Sequence, residues 1–130
     1  MADGCGQEST HALGSLGERI AEDYLERNGY PVVDRNFRCP AGEADLVAVD
    51  GGEDVLVEVK LRRSEPGRGA WPEEAVDRRK RDRYRRIARA YLARNPSVES
   101  VRFDVVAVRL CGSRAYVRHI KDAFGLDGAW

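Results

Sequence analysis

At 130 residues with a formal net charge of +0, the chain is long enough for one core, and any contact with nucleic acid has to come from a local basic patch. Its 42% hydrophobic and 34% charged residues are those of a folded globule rather than a disordered chain, and no apolar run reaches the length of a transmembrane helix. Cys5, Cys39 and Cys111 are odd in number, widely spaced and without a CxxC pair, and MADGCGQEST has no signal-peptide apolar region, so a reduced, cytoplasmic protein without a disulfide framework or zinc site is expected.

Met1–Ala12 is polar, small and aperiodic and reads as a disordered lead-in to a single domain over residues 13–130. Leu13, Leu16, Ile20 and Tyr24, with Gly17, Ala21 and Leu25 beside them, follow the helical period, and Asn28-Gly29 supplies the stop. Glu18 falls on the border of that apolar stripe, where a glutamate ordinarily reaches water. Tyr30–Arg38, entered through Pro31 and carrying Val32, Val33 and Phe37, predicts a first strand, and Cys39-Pro40-Ala41-Gly42 a turn.

Gly42–Arg63 predicts a β-hairpin, because two apolar-rich segments flank a Gly51-Gly52 turn. Its register sets Asp45 opposite Glu58 and Glu43 opposite Lys60, all four on one face, while Ala44, Leu46, Ala48, Val55, Val57 and Val59 form the core face. Carboxylates directly opposed across two strands repel each other. A divalent cation would neutralise them, since Mg²⁺ is usually held by one or two carboxylates and keeps waters and phosphate oxygens for its other positions. Lys60 would place a positive charge beside a phosphate or an attacking water there. The plainer alternative is a solvated face on which Glu43 and Lys60 pair and Asp45 and Glu58 are simply exposed.

Arg62 to Gly69 is a basic loop in which Arg62, Arg63 and Arg68 are either phosphate contacts or solvated charge. Glu73–Ala93 predicts a long helix, with Pro72 in its first turn, Glu73, Glu74 and Asp77 at its N-terminal end and Asn95-Pro96 as its stop. Val76, Tyr84, Ile87 and Tyr91 make its apolar face, and Lys80 sits in the middle of it, where it must snorkel or meet a negative partner such as the hairpin carboxylates or a DNA phosphate. The arginines around the remaining surface, Arg79, Arg81, Arg85, Arg86 and Arg89, form either a solvated face or a phosphate-tracking strip. Val101–Leu110 predicts a strand buried on both sides, followed through Gly112-Ser113 by Ala115–Ile120. Asp104 is either structural or a support behind the site, and His119 is expected to be packed or hydrogen-bonded rather than a ligand.

Asp45, the twelve intervening residues, and Glu58-Val59-Lys60 resemble the D...ExK signature of the PD-(D/E)XK nucleases, with Ala44 where that signature often has proline. GERIAEDYLERNGY, NFRCPAGEADLVAVD, LVEVKLRR, RFDVVAV and HIKDAF together resemble the YraN-like family, over Leu13 to Phe124; that family is similar in arrangement to archaeal Holliday junction resolvases. The resemblance implies an α/β restriction-endonuclease-like fold, in agreement with the αβββαββ order of the predicted elements and the mixed sheet that order requires. It implies a metal-dependent endonuclease acting on DNA, with branched or otherwise structured DNA as a candidate substrate, Mg²⁺ (or Mn²⁺) as cofactor, no membrane partner, and a homodimer compatible with all of this.

By resemblance, Asp45, Glu58 and the Val59 carbonyl would hold the metal, and Lys60 would act on the attacking water and the charge on phosphorus. Glu18, at the position of a helix-one glutamate near the metal, and Glu43 would be auxiliary. Lys80 to Tyr84 resembles a glutamine and tyrosine four apart, with lysine replacing glutamine. Arg38, Arg62, Arg63, Lys80 and Arg83 are the expected nucleic-acid contacts. Two alternatives stay open: a non-catalytic module of the same fold that binds nucleic acid or a protein partner, and a structural domain whose acidic face is an ion-pair network with no metal affinity.

Overall fold

In the computed structural model, residues 2–64 and 78–123 are described, with side chains for 14–63 and 78–123. Arg68, Pro72, the expected start of the second helix at Glu73, Val76 and Phe124 lie outside them, as do the side chains of the expected lead-in. The elements are α1 (Ala2–Arg27), β1 (Val32–Cys39), β2 (Gly42–Asp50), β3 (Glu53–Ser64), α2 (Arg78–Arg94), β4 (Val101–Cys111) and β5 (Arg114–Ile120). The αβββαββ order is thus the one expected, although α1 begins ahead of the Leu13 at which its apolar period starts.

One five-stranded sheet runs β1-β2-β3-β4-β5. The β1/β2, β2/β3 and β4/β5 pairs are antiparallel and β3/β4 is parallel, so the sheet is mixed. Antiparallel neighbours need only tight turns, whereas parallel β3 and β4 need a crossover, and α2 lies within it. The two helices cover opposite faces. Ala21 and Leu25 of α1, with Leu16, Ile20 and Tyr24, pack on Leu46, Ala48, Val55, Val57, Val106 and Val108. Tyr84, Ile87, Ala88 and Tyr91 of α2 pack on Ala44, Val47, Leu56, Phe103 and Val105, with the Tyr84 and Phe103 rings stacked at 4.2 Å.

Two expectations for the hairpin are corrected by this packing. Its second face is not simply ionisable: Val47 and Leu56 are fully buried under α2, and they separate Asp54, which accepts a hydrogen bond from the Tyr91 hydroxyl near the Gly51-Gly52 turn, from the carboxylates at the other end. Ala44, moreover, packs on the α2 side while Leu46 and Ala48 pack on the α1 side, so the alternation of side chains breaks between them. The strand β1 breaks in the same place. Arg35, paired with Leu46, reaches Glu22 of α1, whereas Phe37, paired with Ala44, packs against Tyr91 of α2. Between them Asn36 has φ 57°, a left-handed conformation that asparagine adopts more readily than other non-glycine residues. This local turn of the chain lies level with Asp45.

Asp104, within β4, is fully buried. It accepts hydrogen bonds from Arg102 Nε (2.8 Å) and Nη2 (2.9 Å) and from the Asp122 amide (2.9 Å), and Oδ2 lies 2.7 Å from His119 Nε2. His119 Nδ1 lies 3.1 Å from the Tyr24 hydroxyl, so the network ties α1 to β4 and β5. Burial raises the Asp104 pKa, but the bonds from His119, Arg102 and the Asp122 amide outweigh it and hold the carboxyl below its ordinary value. Both residues are therefore structural: each is satisfied inside the fold, away from the charged end of the hairpin.

Candidate functional site

The β2–β3 ladder runs from Asp50↔Glu53 to Leu46↔Val57. Beyond that rung, the Val59 amide donates to Asp45 Oδ2 at 2.7 Å, so a side chain occupies the place a strand carbonyl would take. The strands end their pairing around an open cavity of about 350 Å³ lined by Gly42, Glu43, Asp45, Glu58, Val59, Lys60 and Arg83. Every expected metal-site residue, and Lys60, lines this one cavity.

Glu18 reaches the cluster from α1. Gly17 beside it is buried against β3, where a Cβ would stand 3.2 Å from Leu61 Cβ; that close approach brings the helix, and Glu18 with it, up to the strand. Asp45 is pushed up from 3.8 to about 6, first by burial and then by the charges of Glu18, Glu58 and Glu43, against the lowering effect of the Val59 amide. Glu18 is also raised, by burial and then by Glu43. Four carboxylates crowd one place, and Asp45 and Glu18 are raised by it.

The cations present only partly offset them. Arg38 pairs with Glu43 across β1 and β2 at 3.3 Å, at the exposed rim. Glu43 therefore does not form the expected cross-strand pair with Lys60, since β2 has left β3 by that point. Lys60 Nζ lies 2.8 Å from Glu58 Oε2, and Arg83 Nη2 donates to Glu58 Oε1 at 2.8 Å. The lysine contact lies outside hydrogen-bonding angles, which leaves the buried Oε2 without a hydrogen-bond partner. Tyr84, behind Glu58, is held protonated by burial and by that carboxylate.

Among the described residues, no group of three or more His, Cys, Asp or Glu side chains is already arranged as a metal shell. The donor set nonetheless fits a hard divalent ion: a buried carboxylate oxygen accepts no hydrogen bond and meets only the Lys60 charge, a second carboxylate is held beside it against its charge, and the cavity is open to water. Asp45 and Glu58 would hold such an ion, with the Val59 carbonyl and Glu43 as further oxygen donors.

Residues 17–108 match the Uncharacterised protein family UPF0102. The chain belongs to this family. It is the YraN family that the sequence resembles. The chain is 41% identical over 116 residues to a UPF0102 protein of Geobacter metallireducens, covering 88% of this chain and 93% of that one. It is 48% identical over 112 residues to one of Beutenbergia cavernae (85% and 93% covered) and 42% identical over 128 residues to UPF0102 protein GSU0650 of Geobacter sulfurreducens (97% and 98%). Among solved structures, "Crystal structure of SSO0001" is similar at 18% identity and TM-score 0.38, over 92% of this chain and 55% of that one; a likeness of that order bears on neither fold nor function. The matched family span contains Glu18, Glu43, Asp45, Glu58, Lys60, Lys80 and Arg83.

The expected nucleic-acid contacts divide by position. Arg62 continues the row of Glu58 and Lys60 toward the end of β3, while Arg63 shares the side of Leu61, which packs under α1. Lys80 is half-buried one turn before Tyr84. Arg83 stands at the carboxylates themselves. Two features of the site were missed in the sequence: the turn of the chain at Asn36, for which asparagine in a strand was a signal, and the ion pair from Arg83 to Glu58, for which there was none.

Proposed function

We propose that the chain is a metal-dependent endonuclease that hydrolyses phosphodiester bonds in DNA, branched or otherwise structured DNA in particular, in the cytoplasm. The observation that carries this is the convergence of Asp45, Glu58 and Lys60 on one cavity, where a buried Glu58 oxygen has no hydrogen-bond partner. A divalent ion bound there would act as a Lewis acid on the phosphoryl group and lower the pKa of a water. Lys60 holds the attacking water and meets the negative charge that builds on the phosphoryl oxygens, a charge larger in the transition state than in the ground state. Asp45, fixed by the Val59 amide, and Glu58 supply the donor oxygens. The exposed Arg38 and Arg62 at the cavity's surroundings, with Lys80 and the arginines of α2, supply a sequence-independent grip on phosphates.

The observation that favours a non-catalytic nucleic-acid-binding module is that Glu58 already has two cationic neighbours. The two readings differ in metal affinity and turnover. Mn²⁺ titration by calorimetry, followed by a Mg²⁺-dependent assay on linear, flapped and four-way DNA, separates them. An endonuclease binds the ion weakly, loses binding in Asp45→Asn and cuts at least one substrate; DNA binding with neither metal uptake nor cleavage assigns the module.

A further inference from the structure

We propose that Arg83 is a latch on Glu58: an ion pair that must open before Glu58 can serve a divalent ion, and that a DNA phosphate opens. This rests on the metal-dependent reading of the site. Glu58 is the buried partner, with 9% of its side chain exposed, and Arg83 the more accessible one, with 42% exposed. Arginine and carboxylate commonly meet through two parallel hydrogen bonds. Here only Nη2 and Oε1 are engaged at 2.8 Å, and the next polar atoms on either side, Arg83 Nε and Glu58 Oε2, are both buried and without hydrogen-bond partners. Glu58 Oε2 instead faces Lys60 Nζ at 2.8 Å, so the pair with Arg83 is one-pointed, and the buried Arg83 Nε that it leaves without a hydrogen bond carries a desolvation cost.

The approach of Arg83 to the site is built into the backbone. Its stem passes over Gly42, whose φ is 145° and where a Cβ would meet Arg83 Cδ at 3.6 Å and Ile87 Cδ1 at 3.3 Å. With the stem seated there, the guanidinium can leave Glu58 without moving the helix. A divalent ion at Glu58 would otherwise stand beside the guanidinium as a like charge, so ion and Arg83 compete for one carboxylate. A phosphate at the cavity mouth offers the planar guanidinium two oxygens, a bidentate contact that Glu58 does not give it. DNA binding thereby frees Glu58, and by linkage the ion raises the affinity for DNA by the same factor. Lys60 is placed differently. It lies on the same strand as Glu58 and stays beside the site when Arg83 departs.

The test is Mn²⁺ affinity measured by calorimetry for wild type, Arg83→Met and Arg83→Lys, alone and with a phosphorothioate duplex that keeps its charge and resists cleavage. Methionine keeps the stem over Gly42, and lysine keeps the charge without the fork. Without DNA, Arg83→Met should bind Mn²⁺ roughly 5- to 20-fold more tightly than wild type, with Arg83→Lys between them; DNA should tighten wild type by a similar factor and Arg83→Met hardly at all. Equal Mn²⁺ affinity in wild type and Arg83→Met, with binding still lost in Asp45→Asn, overturns the latch and leaves the metal site standing. No Mn²⁺ uptake by either protein, or uptake unaffected by Asp45→Asn, overturns the metal reading and the latch with it.

Discussion

Asp45 Oδ2 accepts a 2.7 Å hydrogen bond from the amide of Val59, just past Leu46↔Val57, the last rung between β2 and β3. A carboxylate thus closes a sheet ladder, and the closure sets it beside Glu58. The position is unfavourable for the ionised group, whose pKa is raised to about 6 by burial and by Glu18, Glu58 and Glu43. A side chain kept charged at such a place is a cost to the fold that a bound cation would remove.

Asp45→Asn should therefore stabilise the protein at neutral pH. The folded-state pKa lies above the ordinary 3.8, so the native protein holds this proton more tightly than the unfolded chain does. Ionised Asp45 lowers stability fully above about pH 6, progressively less from 6 to 3.8, and not at all below that. Asparagine keeps an oxygen for the Val59 amide and discards the charge. Urea unfolding at pH 8 should show a gain on the order of 1–3 kcal/mol that disappears by pH 4. A less stable variant at pH 8 would contradict the electrostatic account of the site.

Asn36→Gly should be tolerated and Asn36→Val should not. The left-handed conformation at Asn36 is free of strain for glycine and costs a β-branched residue roughly 1–2 kcal/mol. Because the turn of both strands lies level with Asp45, Asn36→Val should also weaken Mn²⁺ binding. Equal stability of the two variants would show that the side-chain alternation is broken by something else.

Much of this was legible in the residues, for identifiable reasons. The 3.6-residue period of α1, the Gly51-Gly52 turn and the alternation in β3 are local signals, and each fixed its element and register. Hairpin register is arithmetic, and it holds from Asp50↔Glu53 to Leu46↔Val57; the expected rung of Asp45 with Glu58 lies beyond the last pair, and the two residues share a cavity instead. The arithmetic failed at Ala44, since it assumes an unbroken pleat and the left-handed residue that breaks it lies on the neighbouring strand β1. Glu43 went to Arg38 rather than Lys60 for the same reason. Arg83 was legible only as a basic residue on a helix. Its contact with Glu58 depends on how α2 crosses the sheet, and on Gly42 leaving room for its stem.

Asp104 should respond to pH in the opposite sense from Asp45. Its pKa is held below the ordinary 3.8, so it contributes stability above that value and loses it as pH falls through the lower folded-state value. Asp104→Ala leaves the Arg102 guanidinium and His119 without their shared carboxylate. A loss of about 3–5 kcal/mol at pH 7 is expected, by the cost of breaking a buried ion pair on one side. Guanidinium unfolding at pH 7 measures it, and a loss under about 1 kcal/mol would place Asp104 outside the structural network.

Lys60 and Lys80 should separate by kinetics. Lys60→Met removes a charge aimed at the transition state and should lower the single-turnover cleavage rate about 10²-fold or more with little change in DNA affinity. Lys80→Met keeps the apolar stem on the packed face of α2 and should mainly weaken DNA binding, with a shallower dependence on salt. If Lys80→Met stops cleavage at unchanged DNA affinity, the division of roles between hairpin and helix is wrong.

The central claim is that Asp45, Glu58 and Lys60 form a metal-dependent phosphodiesterase site, and the most direct test is single-turnover cleavage of end-labelled DNA by wild type and Glu58→Gln. Linear, flapped and four-way substrates are run side by side, in Mg²⁺ and in EDTA. The account predicts cleavage by wild type in Mg²⁺ alone, and a rate at least about 10²-fold lower in Glu58→Gln at undiminished DNA binding. Absence of cleavage of every substrate by wild type, or equal cleavage by Glu58→Gln, would contradict it.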